Sequence, residues 1–326
     1  MASTRKIAAI VNPHSAGGRT GKRWLSMARR LEEKLGPITA RFTEHSGHAI
    51  ELTRELLGQG FDLIVGVGGD GTFNEIANGF MAGDQLACPA ACMGILPTGT
   101  GGDFQRMFGF SGRRGPEDAI ETLITGEPAL IDLGKVKYTR HDGAPAERYF
   151  VNLVSFGMGG AVAAGAKNFL VPLGGKIAFL WSTFRVLLSY RGKNAQLGID
   201  GNKPTAYCVT NVAIGNGRFH GGGMLPCPTA MMDDGILEVT VIDYMNMFQL
   251  LRDIRVLYSG EIYTHPKTHH FQGARIEAKA ESPTAIEVDG EPLGRLPVEI
   301  TILPRKLPVM VNPSNFQKGS LLRAEG

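Results

Sequence analysis

The sequence places an acid inside a glycine turn: Gly68-Gly69-Asp70-Gly71-Thr72, after an apolar run and before a helical pattern. Glycines at a strand-to-helix turn let backbone N–H groups approach a phosphate closely. A carboxylate in that turn repels the same phosphate. At ~4 Å and an effective dielectric near 20 the cost is about 4 kcal/mol per charge pair. Asp70 is bearable there through an intervening cation or through proton handling, and both belong to phosphoryl transfer. The bland alternative is a glycine turn with a capping Asp. Gly66, Gly68 and Gly71 also satisfy the dinucleotide fingerprint GxGxxG. That fingerprint belongs to the first strand–helix turn, whereas this is the third, and no acid ends the following strand to take a ribose hydroxyl.

A second glycine turn, Pro97-Thr98-Gly99-Thr100-Gly101-Gly102-Asp103-Phe104, follows the next apolar run, again with Thr and Asp. Two such turns at the carboxyl ends of neighbouring strands converge on one site. A third polar turn, Asn12-Pro13-His14-Ser15-Ala16-Gly17-Gly18-Arg19, has Lys22 nearby. It is not GxxxxGK[ST], which excludes a Walker-type NTPase. Further along, Asp233-Asp234-Gly235 reads either as a hairpin turn or as a hard-cation site. Asp289-Gly290-Glu291 reads either as a hairpin turn or as a carboxylate presented for chemistry.

These turns need a frame. Apolar runs at Ile7–Val11, Ile38–Phe42, Phe61–Val67 and Ala91–Leu96 alternate with helical patterns. One helix is expected over Thr20–Leu35, facing inward with Trp24, Ala28, Leu31 and Leu35. A second is capped by Ser46, and a third carries Phe73, Ile76, Ala77 and Phe80. Strands alternating with helices predict an α/β domain on a parallel sheet, over residues 1–128. From 129 to 304 strand-like runs dominate: Ala129–Tyr138, Arg148–Val154, Ala206–Ile214, Ile236–Ile242, Ile276–Ala280, Ala285–Val288 and Val298–Leu303. Helices are expected at Lys176–Tyr190 and Met247–Tyr258. The second domain is therefore expected to be a β-rich sandwich, with residues 305–326 returning to the first domain.

The chain of 326 residues exceeds one ordinary domain of ~100–200 residues, which agrees with two. A net charge of +3 is no nucleic-acid signature. Cys88, Cys92, Cys208 and Cys227 form no CxxC pair, so a reducing cytoplasm is expected. No run reaches the ~18 apolar residues of a spanning helix; Ile177 to Tyr190 comes nearest but is interrupted by Ser182, Thr183, Arg185 and Ser189. His265, His269 and His270 invite a metal reading but lack Cys or paired carboxylates, so hydrogen-bonding histidines are expected. His48 is expected to be structural or a phosphate contact at a helix start. Arg113-Arg114 is expected to be a solvated turn. The stripe Ile177, Leu180, Trp181, Phe184 and Leu188 is expected to be core, with a lipid-facing role as the alternative.

Taken in order, NPHSAGG, GGDGTFNEIANGF, PTGTGGDF, Ile131-Asp132-Leu133-Gly134, FVNLVSFGMGG, GGG…MMDDG and EVDGEP resemble the diacylglycerol kinase catalytic-domain family. The likeness is greatest to the bacterial soluble lipid kinases of diacylglycerol-kinase and YegS type, and it runs from about Lys6 to Val311. It implies an NAD-kinase-like first domain. It also implies an ATP-dependent transfer of the γ-phosphate to a hydroxyl of diacylglycerol or a similar lipid alcohol. Asn12, Ser15, Thr43, Gly68, Gly69, Asp70, Gly71, Thr72 and Thr100 would line the nucleotide. Asp70, Asp103 and Asp132 would surround a catalytic Mg2+. Asp234, with the carbonyls of Met231 and Ile236, would hold a second. Glu291 would be the general base, with Asp70 as the rival. The lipid would be met at the inner membrane surface, and there is room for a homodimer. Two departures stand out: Gly102 occupies a position usually held by Asn, and SAGG leaves Arg19 or Lys22 as the first loop's basic residue. An NAD-kinase-like soluble kinase and a non-catalytic lipid- or nucleotide-binding module are the competing readings.

Overall fold

The computed structural model describes residues 5–99, 101–167, 190–314 and 316. The chain forms two compact units: residues 1–133, 231–234 and 303–326, and residues 134–230 and 235–302.

The first unit alternates as expected: β1 (Ile7–Val11), α1 (Arg19–Leu35), β2 (Ile38–Phe42), α2 (His48–Gly58), β3 (Leu63–Gly68) and α3 (Asp70–Phe80). A small hairpin, β4 (Met81–Ala82) and β5 (Gln85–Leu86), precedes β6 (Cys92–Pro97), α4 (Asp103–Arg106) and α5 (Gly115–Thr125). The strands run parallel in the order β2-β1-β3-β6. Every residue of β1, β3 and β6 is buried, the mark of strands covered on both faces. Gly66 sits where α3 crosses β3; a Cβ there would lie 2.7 Å from Ile76 Cδ1, so the missing side chain brings helix and strand together. On α1 the buried face is Thr20, Trp24, Met27 and Leu31, with Ala28 and Leu35 half-buried, one step from the expected stripe. Ser46 does not cap α2. The Glu75 carboxylate of α3 does, accepting from Gly47 N–H at 2.7 Å and Ala49 N–H at 3.1 Å. A partner from a distant helix has displaced the local one.

In the second unit lie the second half of β7 (Glu127–Arg140) and all of β8 (Pro145–Phe150), β9 (Leu153–Gly157), α6 (Met158–Lys167), β10 (Lys193–Ile199), β11 (Thr205–Gly215) and β12 (Leu237–Asp243). Then come α7 (Met247–Asp253), α8 (Val256–Ser259), β13 (Thr268–Gly273), β14 (Arg275–Ala280), β15 (Ala285–Val288) and the long β16 (Glu291–Val311). The antiparallel path is β13-β12-β11-β10-β14-β16, with β9 bridging β11 and β15. Its core includes Phe150, Phe156, Val212, Val239, Ile276, Ile286 and Ile300. The final part of β16, residues 303–311, belongs to the first unit and pairs Val309 in parallel with Met93 of β6.

Besides the small β4–β5 hairpin, two strands escaped the sequence reading. β10 alternates, but with Ala195 and Leu197 as its only buried apolar residues, and β13 is polar, as suits a strand ending the path. The single strand expected over Arg148–Val154 is broken at Val151-Asn152. The expected helix Met247–Tyr258 is split into α7 and α8. The expected helix over Lys176–Tyr190 and its apolar stripe lie outside the described residues, Tyr190 excepted.

Candidate active site

Within the first unit the two glycine turns touch. Thr98 and Gly99 donate their N–H groups to Gly68 O at 2.8 and 2.9 Å. A Cβ on Gly99 would lie 2.6 Å from Gly69 Cα, so only a residue without a side chain allows this approach. The first-strand turn joins them: Asn12 Nδ2 donates to Thr72 Oγ1 at 3.3 Å, and Thr20 Oγ1 donates to Thr98 Oγ1 at 2.8 Å. Ser15 Oγ lies near Gly69. Thr43 is buried just beyond β2, its N–H donating to Val11 O at 2.9 Å. Asn12, Ser15 and Gly68 to Thr72 thus gather around the start of α3, whose first N–H groups have no partner within the helix. Thr100 lies outside the described residues.

Asp70 is the first residue of α3. Its carboxylate crosses to the second turn and accepts from Asp103 N–H at 3.0 Å and Phe104 N–H at 3.2 Å, capping α4. The capping reading is therefore correct as far as it goes. Burial nonetheless raises the Asp70 pKa above the ordinary carboxylate value, and the neighbouring Asp103 carboxylate raises it further, against the backbone bonds. Asp103 is itself buried and lies 3.8 Å from the Arg106 guanidinium. A half-buried carboxylate repelled by a buried one is a donor set that a hard divalent cation relieves, so the residues fit the ion expected at this place.

Asp132 is held by other bonds. It is fully buried, accepts from Arg305 N–H at 2.6 Å, and donates its own N–H to Met232 O at 2.5 Å. It thereby anchors the loop of Met231 and Asp234. Gly102 has φ +76°, in the left-handed region where glycine is easiest and Asn next easiest. Arg19 holds its own loop, donating from Nε to Ala16 O at 3.0 Å.

Residues 6–136 match the sequence profile of the diacylglycerol kinase catalytic domain, and residues 152–311 match that of the YegS C-terminal NAD kinase beta sandwich-like domain. The chain belongs to the YegS-like diacylglycerol kinase family. It is 27% identical over 309 residues to the diacylglycerol kinase of Staphylococcus aureus (strains JH9 and Newman among others), covering 94% of this chain and 92% of that one. The crystal structure of a diacylglycerol kinase from Bacillus anthracis str. Sterne superposes with TM-score 0.69 at 20% identity, over 96% of this chain and 99% of that one. Yeast NADH kinase complexed with NADH superposes with TM-score 0.51 at 12% identity, over 100% and 89%. These solved structures confirm the fold: an α/β domain followed by a β-rich sandwich. By family the protein is a kinase, of the lipid kinase kind.

Glu291 opens β16 in the second unit, and Val288 pairs with it across the turn. What positions it is Asp289, at φ +47°. The Asp289 carboxylate accepts three backbone N–H groups, from Val151 at 2.9 Å, Asn152 at 3.0 Å and Leu153 at 2.9 Å. Its own N–H donates to Leu153 O at 2.9 Å. The same bonds break the strand expected over Arg148–Val154. Asn152 O in turn accepts from Asn216 and Gly217 N–H, both at 2.8 Å. Asp289, Asn152 and Asn216 were missed as positioning residues, although FVN, GNG and VDG are all visible in the sequence. Beside them, Glu287 is buried and shares Oε1 with Ser155 Oγ and His220 Nε2, both at 2.6 Å. Burial alone would raise the Glu287 pKa; His220 and Ser155 reverse this and hold it below the usual range.

The histidines behave as hydrogen-bonding groups. His265 meets Asp253 at 3.3 Å, His269 meets Asp243 at 2.9 Å, and His270 pairs with Glu238. His48 Nδ1 accepts Glu44 N–H at 3.1 Å, a structural role. Arg114 lies in a short 3-10 turn on the surface, 3.7 Å from Asp118. No helix among the described residues is long and apolar enough to cross a membrane.

Proposed function

We propose that the protein transfers the γ-phosphate of ATP to a hydroxyl of diacylglycerol or a similar lipid alcohol. The observation that carries this reading is the half-buried Asp70 carboxylate reaching the N–H of buried Asp103 between two interlocked glycine turns. The turns offer backbone N–H groups to the phosphates, with Asn12, Ser15, Thr43, Thr72 and Thr100 as polar lining. Asp70 and Asp103, joined by Asp132, would hold Mg2+, which supplies neutralisation of the phosphate charge. Asp234 and the carbonyls of Met231 and Ile236 would hold a second Mg2+ that orders the substrate domain. Glu291 takes the proton from the lipid hydroxyl as the new O–P bond forms; the bond from the γ-phosphorus to the bridging oxygen breaks, and ADP leaves with its electron pair. Asp70 is the rival for that proton.

The test is a radiolabelled-ATP screen across lipid alcohols in mixed micelles, with NAD as a control acceptor. Labelled lipid from the wild type, and none from Asp70→Asn or Glu291→Gln, is the expected result. Full activity in Glu291→Gln removes it as the base. The fold shared with yeast NADH kinase favours one other reading, and label appearing in NAD instead of lipid would establish it.

A further inference from the structure

Eight large apolar residues are strongly exposed among the described residues, and five of them lie within fifteen positions: Tyr244 (38%), Phe248 (77%), Leu251 (52%), Ile254 (44%) and Tyr258 (52%). They fall on and beside α7 and α8, in the second unit. The two short helices are joined through Ile254 and Arg255, both in the right-handed helical region, so the helical period carries through the break. Positions 248, 251, 255 and 258 step by three, four and three, which places them on one face, and Tyr244 stands just before the extended cap residue Asn246. The opposite side is spoken for: Leu250, Val256 and Leu257 pack on Ile242, Met245 and Ile262. The segment is thus anchored from below and presents an apolar upper face that no described residue covers.

The rim of that face is basic. Arg255 is exposed on the face itself. Arg252 is exposed beside it, bonded to the adjacent Asp253 at 2.7 and 2.8 Å. Lys267 Nζ donates to Tyr244 O at 2.9 Å. Exposed Arg191 precedes Gly192, where a Cβ would lie 2.9 Å from the Tyr244 ring. Of the nearby acids, Asp253 pairs with Arg252 and His265, Asp243 pairs with His269, and exposed Glu261 accepts from Ser259 Oγ at 3.2 Å. An aromatic and aliphatic strip rimmed by long cationic side chains matches a lipid–water boundary: rings and Leu enter the acyl edge while Arg and Lys reach phosphate headgroups.

We propose that the face of Phe248, Leu251, Arg255 and Tyr258, with exposed Tyr244 beside it, docks the protein on an anionic lipid bilayer. Choosing a bilayer as the partner rests on the lipid-kinase reading above; the cationic rim is what selects an anionic one. The face is small, so docking is reversible.

The experiment is co-sedimentation of the full chain with vesicles of phosphatidylcholine, alone or mixed equally with phosphatidylglycerol. The wild type is expected to bind the mixed vesicles and to release in high salt. Phe248→Ser with Leu251→Ser is expected to weaken binding about tenfold or more. Arg255→Glu is expected to weaken it severalfold, on the anionic vesicles only. Matched thermal melts show that the variants, all at exposed positions, remain folded. Unchanged vesicle binding in the double variant overturns the proposal. So does a wild-type dimer that the double variant splits in sedimentation velocity with vesicle binding intact, which would assign the face to a second copy. Transfer to lipid in detergent micelles separates the two readings: a wild type that labels no lipid while the variants still lose vesicle binding sinks the function and leaves the docking face standing.

Discussion

The glycine turns of the first unit and the Asp289 turn of the second fix their chemical groups by opposite means. In the first, backbone lies against backbone, Gly99 on Gly69, and the site depends on side chains that are absent. In the second, one side chain gathers three backbone N–H groups, and the position of Glu291 depends on a carboxylate that is present. A polyanion needs close, rigid approach to N–H groups, which any Cβ obstructs. A proton acceptor needs only to be aimed, and a satisfied carboxylate in a turn does that. The first region should therefore break when atoms are added, and the second when atoms are removed.

The largest expected effect is at Asp70, the charged group of the first glycine turn. Asp70→Asn should lower phosphate transfer by about a thousandfold or more in a kinase assay. Its melting temperature should move by only a few degrees: losing the charge relieves burial and the Asp103 repulsion, while one of two N–H bonds loses its acceptor. Next is the added atom. Gly99→Ala should cost about 1–3 kcal/mol by denaturant melting and about a hundredfold in activity, since the methyl meets backbone that cannot rotate away. Asp289→Ala should destabilise by about 2–4 kcal/mol in urea unfolding, because it strands three N–H donors at once. If Gly99→Ala proved harmless and Asp289→Ala costless, the contrast between the regions would be wrong.

Two smaller effects sharpen it. The Glu287 pKa is depressed in the folded state. The stability it contributes is therefore present above the ordinary carboxylate range and lost as pH falls through the folded value. Glu287→Gln should flatten the acid limb of a melting-temperature profile and leave the neutral limb lower but level. Gly102→Asn is the mildest. Asn tolerates the left-handed region, and the neighbour it meets is the flexible end of Gln105, so the change should stay within about 1 kcal/mol and leave activity within severalfold.

The core strands were legible because nothing nonlocal was needed to see them. Leu63–Gly68 is continuous, apolar and flanked by turn residues, and it is a doubly covered strand. β10 and β13 were not legible: β10 is flanked by distant β14 as well as its neighbour β11, β13 pairs with β12 across two helices, and Lys193–Ile199 or Thr268–Gly273 alone reads as loop. The cap of α2 shows the same limit at one residue, where Ser46 was the local candidate and Glu75 took the bonds.

By itself the sequence determined which residues could do chemistry, because glycine turns, paired acids and apolar periods are local properties of a chain. Only the tertiary structure decided how they are held. Gly69 meets Gly99, Asp70 reaches Asp103, and Asp289 clamps a turn 136 to 138 positions away, since each bond closes between segments whose separation carries no local signal.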